Sequence, residues 1–212
     1  MVTISPDALT GVVELACRAP SVHNSQPWRL IAADGELRLF FDSHRVPRAT
    51  DHSGRESVIS CGALLDHLRV AAAAAGWHAD IARFPNPNDL DHLATIEFHR
   101  REFVTEADRA RAAAIPTRRT DRLPFAAPAD WPVFEPVLRS TLDPEKAALY
   151  VLDDSDRSQL IQASKLTGAL RRHDSSYQAE LLWWTAPFEV ADGVPYGTLA
   201  TAGERERVDI AR

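Results

Sequence analysis

Cysteine is scarce in this 212-residue chain: only Cys17 and Cys61 occur, with no CxxC and no paired spacing. That excludes a disulfide framework and a structural zinc site of the usual ligand spacing, and it fits a reducing, cytoplasmic setting. An excess of basic charge is lacking too, with 24 Lys and Arg against 30 Asp and Glu and a net charge of −6. General nucleic-acid or anionic-membrane binders draw affinity from clustered cations, so any anion site here has to be local. No apolar run approaches the roughly 18 residues of a membrane helix, and Met1 to Asp7 has no basic stretch leading into an apolar one, so neither a span nor a secretory signal is expected. The glycine patterns GxGxxG and GxxxxGK are missing, which leaves Rossmann and P-loop readings without a motif. HxxxH and HExxH are also missing, so the eight histidines form no helical zinc pair and no metal is expected. Ser21, His23 and Asp51 lack the GxSxG elbow of a hydrolase.

What is present describes an ordinary globular chain, 45% hydrophobic and 25% charged, with five Trp that need burial. Ser5-Pro6-Asp7 supplies a cap and a first-turn proline for a helix carrying Leu9, Val12, Val13 and Ala16 and ending near Arg18. Trp28 to Ala33 and Leu37 to Phe41 flank Asp34-Gly35, a hairpin turn signal. Ser53 to Gly76 reads as the longest helix, with Val58, Leu65 and Leu68 on one side, Ile59 near them, and a run of alanines that admits close helix approach. Trp77 to Phe84 and Leu93 to Phe98 form a second hairpin around the Pro85 to Asn88 loop. Helices follow at Thr105 to Ile115 and Trp131 to Leu142, then a short strand at Ala148 to Leu152. A long helix capped at Ser155-Asp156 breaks near His173-Asp174 before Tyr177 to Trp184. Antiparallel hairpins mixed with long helices predict an α+β protein rather than a doubly wound sheet.

Two segments carry chemistry. Pro20-Ser21-Val22-His23-Asn24-Ser25-Gln26-Pro27-Trp28 holds short donors and amides between prolines, directly between a helix and a strand. It can present Ser21, Asn24 and backbone N–H groups to a flat polar heterocycle, and the same residues also make an ordinary capped turn. Arg118-Arg119-Thr120-Asp121-Arg122 sets three guanidinium groups and a hydroxyl in five residues, the donor set of a dianion receptor. A solvated turn in which Asp121 pairs with a neighbouring arginine is the alternative.

At both segments the sequence resembles the nitroreductase superfamily of FMN proteins. Arg118 to Phe125 looks like that family's phosphate turn, with Thr120 in the serine place, and the resemblance implies Arg119 and Arg122 as phosphate ligands within a cofactor-binding set of Arg118, Arg119, Thr120 and Arg122. Pro20, Ser21, Val22, Asn24 and Gln26 match its ring-side loop, which in that family meets the isoalloxazine from a partner subunit. Here the phosphate turn follows the ring loop, as in two nitroreductase-like halves fused into a pseudo-dimer. The resemblance therefore implies a first half over 1–104 and a second over 105–212, one FMN per chain, and a second half incomplete at its C-terminus. This order is similar to the mycobacterial Acg type, as are Ala49 to Glu56, Phe84 to Asn88 and Asp174 to Tyr177. The family implies NAD(P)H and a small electron acceptor as partners, by hydride transfer through the flavin, with a possible homodimer. No catalytic side chain is assigned. Tyr177 to Tyr196, rich in Trp, Pro and Phe, supplies material for a lid, so FMN sequestration without turnover is the competing reading.

Overall fold

The computed structural model describes residues 4–121, 123, 125–185, 193–195, 198–199 and 201–205, and it divides into two compact units: Met1–Thr120 with Ala179–Thr198, and Asp121–Gln178 with Leu199–Arg212. Arg122, Pro124, residues 186–192 and Tyr196 lie outside the described residues.

In the first unit, α1 (Pro6–Ala16) begins at Ser5, whose hydroxyl accepts from the Ala8 N–H at 3.3 Å, with Pro6 in the first turn. The hairpin β1 (Trp28–Ala33) and β2 (Glu36–Phe41) closes through Asp34 and Gly35, both at positive φ, as the two-residue turn requires. The second hairpin, β3 (Trp77–Arg83) and β4 (His92–Arg100), joins the first by antiparallel pairing of β2 with β4, giving the order β1-β2-β4-β3. Leu37 faces Ile96 and Leu39 faces Ala94 across that seam, and a bulge between Leu39 and Phe40 shifts the register beyond it. From Ala94 onward β4 alternates buried Ala94, Ile96 and Phe98 with more accessible Thr95, Glu97 and His99.

The long helix α2 (Arg55–Ala74) packs on α1 and β3, its buried stripe running Ser57, Ser60, Cys61, Leu64, Leu65, Leu68, Ala71 and Ala72. Leu65 and Leu68 lie inward as expected, but Val58 and Ile59 are exposed at 39% and 58%. The stripe runs instead through Ser57 and Ser60, the Ser60 hydroxyl being hydrogen-bonded to the Val22 N–H and the Glu56 carbonyl. By length and composition α2 could cross a membrane, contrary to the expectation that no segment qualifies. Its apolar content is distributed among alanines rather than gathered in one run, and much of it lies in the core. Gly76, at φ 84, follows the helix end, and α3 (Glu106–Thr117) packs on α2 behind a capping box in which Thr105 and Asp108 exchange hydrogen bonds.

In the second unit, α4 (Trp131–Ser140) and α5 (Asp154–Arg171) carry no buried residue. The cap of α5 is Asp153, accepting from the Asp156 N–H at 2.8 Å, two residues before the expected Ser155. Ala148 to Leu152 is not a strand: no other strand pairs with it among the described residues, and Tyr150, Val151 and Leu152 are exposed. An isolated apolar run has no ladder to join. The chain breaks at His173-Asp174 as expected and resumes as α6 (Ser175–Trp184), whose residues from Ala179 are counted with the first unit, and α7 is a four-residue turn, Ala202–Arg205.

Candidate functional site

Pro20 to Trp28 leaves α1 where Ala16 and Ala19 are buried and crosses the N-terminal half of α2. Its backbone is unusual: His23, Asn24 and Gln26 all have φ near +50. Non-glycine residues adopt that region rarely, so three in four positions require firm fixing from outside. The fixing comes from α2. The Val22 N–H donates to Ser60 Oγ at 3.1 Å, and the buried Cys61 thiol donates to the Pro27 carbonyl at 3.1 Å. Burial pushes that thiol up to about 12, so it is a neutral donor rather than a nucleophile. Within the loop, the Gln26 N–H donates to Ser21 Oγ at 3.0 Å, and Arg45 Nη1 reaches the Ser25 carbonyl at 3.3 Å. Ser25 itself is fully buried, and its hydroxyl has no partner among the described residues.

A second layer backs the loop. His23 Nε2 lies 3.2 Å from Thr50 Oγ1 in the Pro47 to Asp51 turn. The Ala49 and Thr50 N–H groups donate to the two carboxylate oxygens of Glu180 at 2.8 and 2.9 Å. Asp51 closes the turn and accepts from the Ser57 N–H at 2.7 Å, ahead of the first turn of α2. Burial pushes its carboxyl up, but hydrogen bonds from residues 55 to 57 outweigh this and hold it below the usual range.

Asn24, a ring-side residue in the sequence reading, is engaged within the protein: its Nδ2 donates to the Gly193 carbonyl at 2.9 Å, and the Gly193 N–H returns to the Asn24 carbonyl at 3.3 Å. Gly193 has φ 91, and a Cβ there would stand 2.9 Å from the Trp184 carbonyl oxygen, so only glycine fits this clasp. The adjacent Val194 N–H donates to the same carbonyl at 2.7 Å. Sequence spacing gave no sign of Glu180, which holds the turn behind the loop, or of Gly193, which clasps the loop itself, each from more than a hundred residues away.

The basic turn follows α3. Arg118 Nη1 donates to Thr120 Oγ1 at 3.2 Å and Nη2 to the Arg18 carbonyl at 3.2 Å, so this side chain meets the chain two residues ahead of Pro20. Arg119 Nη1 caps the end of α3 through the Pro116 and Arg118 carbonyls at 2.7 and 2.9 Å. Each guanidinium keeps further N–H groups beyond these bonds. Pro20, Ser21, Val22, Asn24, Gln26, Arg118, Arg119 and Thr120 thus all belong to the first unit. Among the described residues no group of three His, Cys, Asp or Glu side chains is placed to hold a metal ion.

No protein-family model matches the chain. It is 54% identical over 209 residues to a Mycobacterium tuberculosis protein named "Putative NAD(P)H nitroreductase acg", covering 99% of this chain and 63% of that one. An uncharacterized protein from the same organism is 55% identical over 208 residues, covering 96% and 60%. A third, also named a "Putative NAD(P)H nitroreductase", is 41% identical over 202 residues, covering 92% and 56%. The chain thus spans about three fifths of the length of the curated relatives it matches. Among solved structures, a nitroreductase family protein from Streptococcus pneumoniae overlaps 58% of this chain and 88% of its own at 15% identity and a TM-score of 0.36. A Parabacteroides distasonis protein titled "Putative NADH dehydrogenase/NAD(P)H nitroreductase" overlaps 48% of this chain and 78% of its own at 15% identity and 0.39.

Proposed function

We propose that this chain is a nitroreductase of the Acg type, as its 54% and 41% identical relatives are named, and that it holds FMN between the Pro20 to Trp28 loop and the Arg118 to Arg122 turn. The observation that carries the reading is the Arg118 bond to the Arg18 carbonyl, which brings the basic turn to the entry of the loop. The donor set fits the group. Arg118, Arg119, Thr120 and Arg122 offer charged forks and a hydroxyl for a phosphate, and Pro20, Ser21, Val22, Asn24 and Gln26 offer a rigid polar edge for the ring. The buried, unpaired Ser25 hydroxyl is a further polar group in that edge.

When bound, FMN would take a hydride from NAD(P)H and deliver it to a nitroaromatic or quinone acceptor. The chain's own part is to bind and orient: the loop is held in a strained form by α2 before any ligand arrives, which lowers the ordering cost of binding. The two-half organisation, 1–104 and 105–212, belongs to the same proposal.

A second reading, FMN held without turnover, is favoured by one observation: the Asn24 amide is already engaged by Gly193, and Glu180 clamps the neighbouring turn. On that reading Glu180 and Gly193 hold the loop and its neighbouring turn in a form that keeps acceptors from the ring. Purified protein that stays yellow through dialysis supports FMN binding. Anaerobic bleaching by NADPH then selects the reductase, and bleaching by dithionite alone selects the covered site. The double variant Arg119→Ala with Arg122→Ala is expected to lose flavin on dialysis, and unchanged occupancy would overturn the phosphate assignment.

A further inference from the structure

A groove of about 250 Å³ opens between α2 and the sheet in the first unit. Its walls are aliphatic, from Leu39, Val58, Leu65, Ile81 and Leu93, and it reaches Leu39 and Cys61, each 1% exposed, so it is a pit rather than a flat face. Gly62 lines it from the interior of α2. Glycine inside a helix weakens that helix, and its usual justification is close approach by another group. Here a Cβ added at Gly62 would meet nothing within 4 Å, so the chain leaves the space in front of Gly62 open.

The mouth carries charge. Asp66 is bound to Arg69 through Nε at 3.3 Å and Nη2 at 2.8 Å. The Arg83 side chain makes no hydrogen bond or ion pair among the described residues, which leaves one uncompensated cation at the rim. Phe84 beside it is 55% exposed and held at φ 48, a conformation costly for a bulky side chain.

We propose that this groove binds a small amphipathic monocarboxylate, its aliphatic body against Leu39, Ile81 and Leu93 and its carboxylate at Arg83. The pit is below the roughly 300–1,000 Å³ of drug-sized clefts, which selects a medium-chain acid over a long one. The rim charge selects an anion over a cation of the same length. The site is independent of the flavin reading.

The test is titration of the purified 212-residue chain with octanoate, octylammonium and octanol, followed by methyl NMR shifts of the leucines, isoleucines and valines. Octanoate is expected to shift Leu39, Ile81 and Leu93 at the lowest concentration, octanol at a higher one, and octylammonium at a higher one still. Arg83→Gln should weaken octanoate roughly threefold, the scale of an exposed charge contact, and leave octanol unchanged. Gly62→Phe should abolish both, with Gly62→Ala as the folded control. Equal shifts by octanoate and octylammonium, no shift by any probe, or binding that survives Gly62→Phe in a folded variant would each overturn the proposal. So would a concentration-dependent dimer abolished by Gly62→Phe, which would assign the groove to a second copy of the chain.

Discussion

At the scale of single residues, carboxylates do structural work in this chain. Asp51 is 4% exposed and accepts from the start of α2, where the first backbone N–H groups have no helical partner. Asp51→Ala is expected to cost about 1 to 2 kcal/mol, read as a shift of the urea midpoint without a change of slope. Asp108 is held down to about 2 by hydrogen bonds from the Thr105 side chain and backbone, with Arg101 at 3.1 Å adding to them. Both folded values lie below the unfolded ones, so their contribution is present above the ordinary carboxylate range near pH 4. It is lost as pH falls toward 2. Unfolding at pH 5 and pH 3 should therefore show a loss of stability that Asp108→Asn reduces, and an identical loss in the variant would refute the assignment. Sequence reading singled out Ser21 and Asn24 within the loop, but not the holding contacts of Ser60, Asp51 or Glu180. Those act through contacts set by tertiary packing, and no local spacing records them.

At the scale of elements, α2 decides how the loop is held, because its buried stripe fixes which residues face Pro20 to Trp28. Leu68 is fully buried within that stripe, whereas Ile59 is 58% exposed. Leu68→Ala should cost about 2 to 5 kcal/mol through the lost transfer energy and the cavity. Ile59→Ala should stay within about 0.5 kcal/mol, because it removes no packed surface. Equal losses in thermal unfolding would mean the stripe is wrongly drawn. The first helix cap and the first hairpin turn were legible, because Ser5-Pro6 and Asp34-Gly35 act on neighbours three residues away or fewer. The rotation of α2 was misread at Val58 and Ile59, since apolar type alone cannot show that the small residues Ser57 and Ser60 face inward, Ser60 as a hydrogen-bonding group. The expected strand at Ala148 to Leu152 failed for a related reason: strand character is a property of a pair, and the chain offers that segment no partner among its described residues.

At the scale of the molecule, burial is unequal between the units. The first holds a cluster running from Val12 on α1 through Leu64 and Leu68 on α2 to Leu39, Ala94 and Ile96 on the sheet. The second, over residues 121–178, has no buried residue among those described, and Phe125, Tyr150 and Leu170 are each more than two-thirds exposed. Isolated helices of 10 and 18 residues gain little from propensity alone, because nucleation is costly and tertiary burial normally supplies the stabilisation. Amides of α4 and α5 in this 212-residue chain should then exchange by local opening, at rates within roughly a hundredfold of the unfolded chain, while α2 and β4 exchange only on global unfolding. Native-state hydrogen exchange with proteolytic mapping reads both classes in one experiment. Equal protection of α5 and α2 would mean that the second unit buries surface against something the chain itself provides. Slow exchange of α5 that appears only at high protein concentration would place that surface between copies.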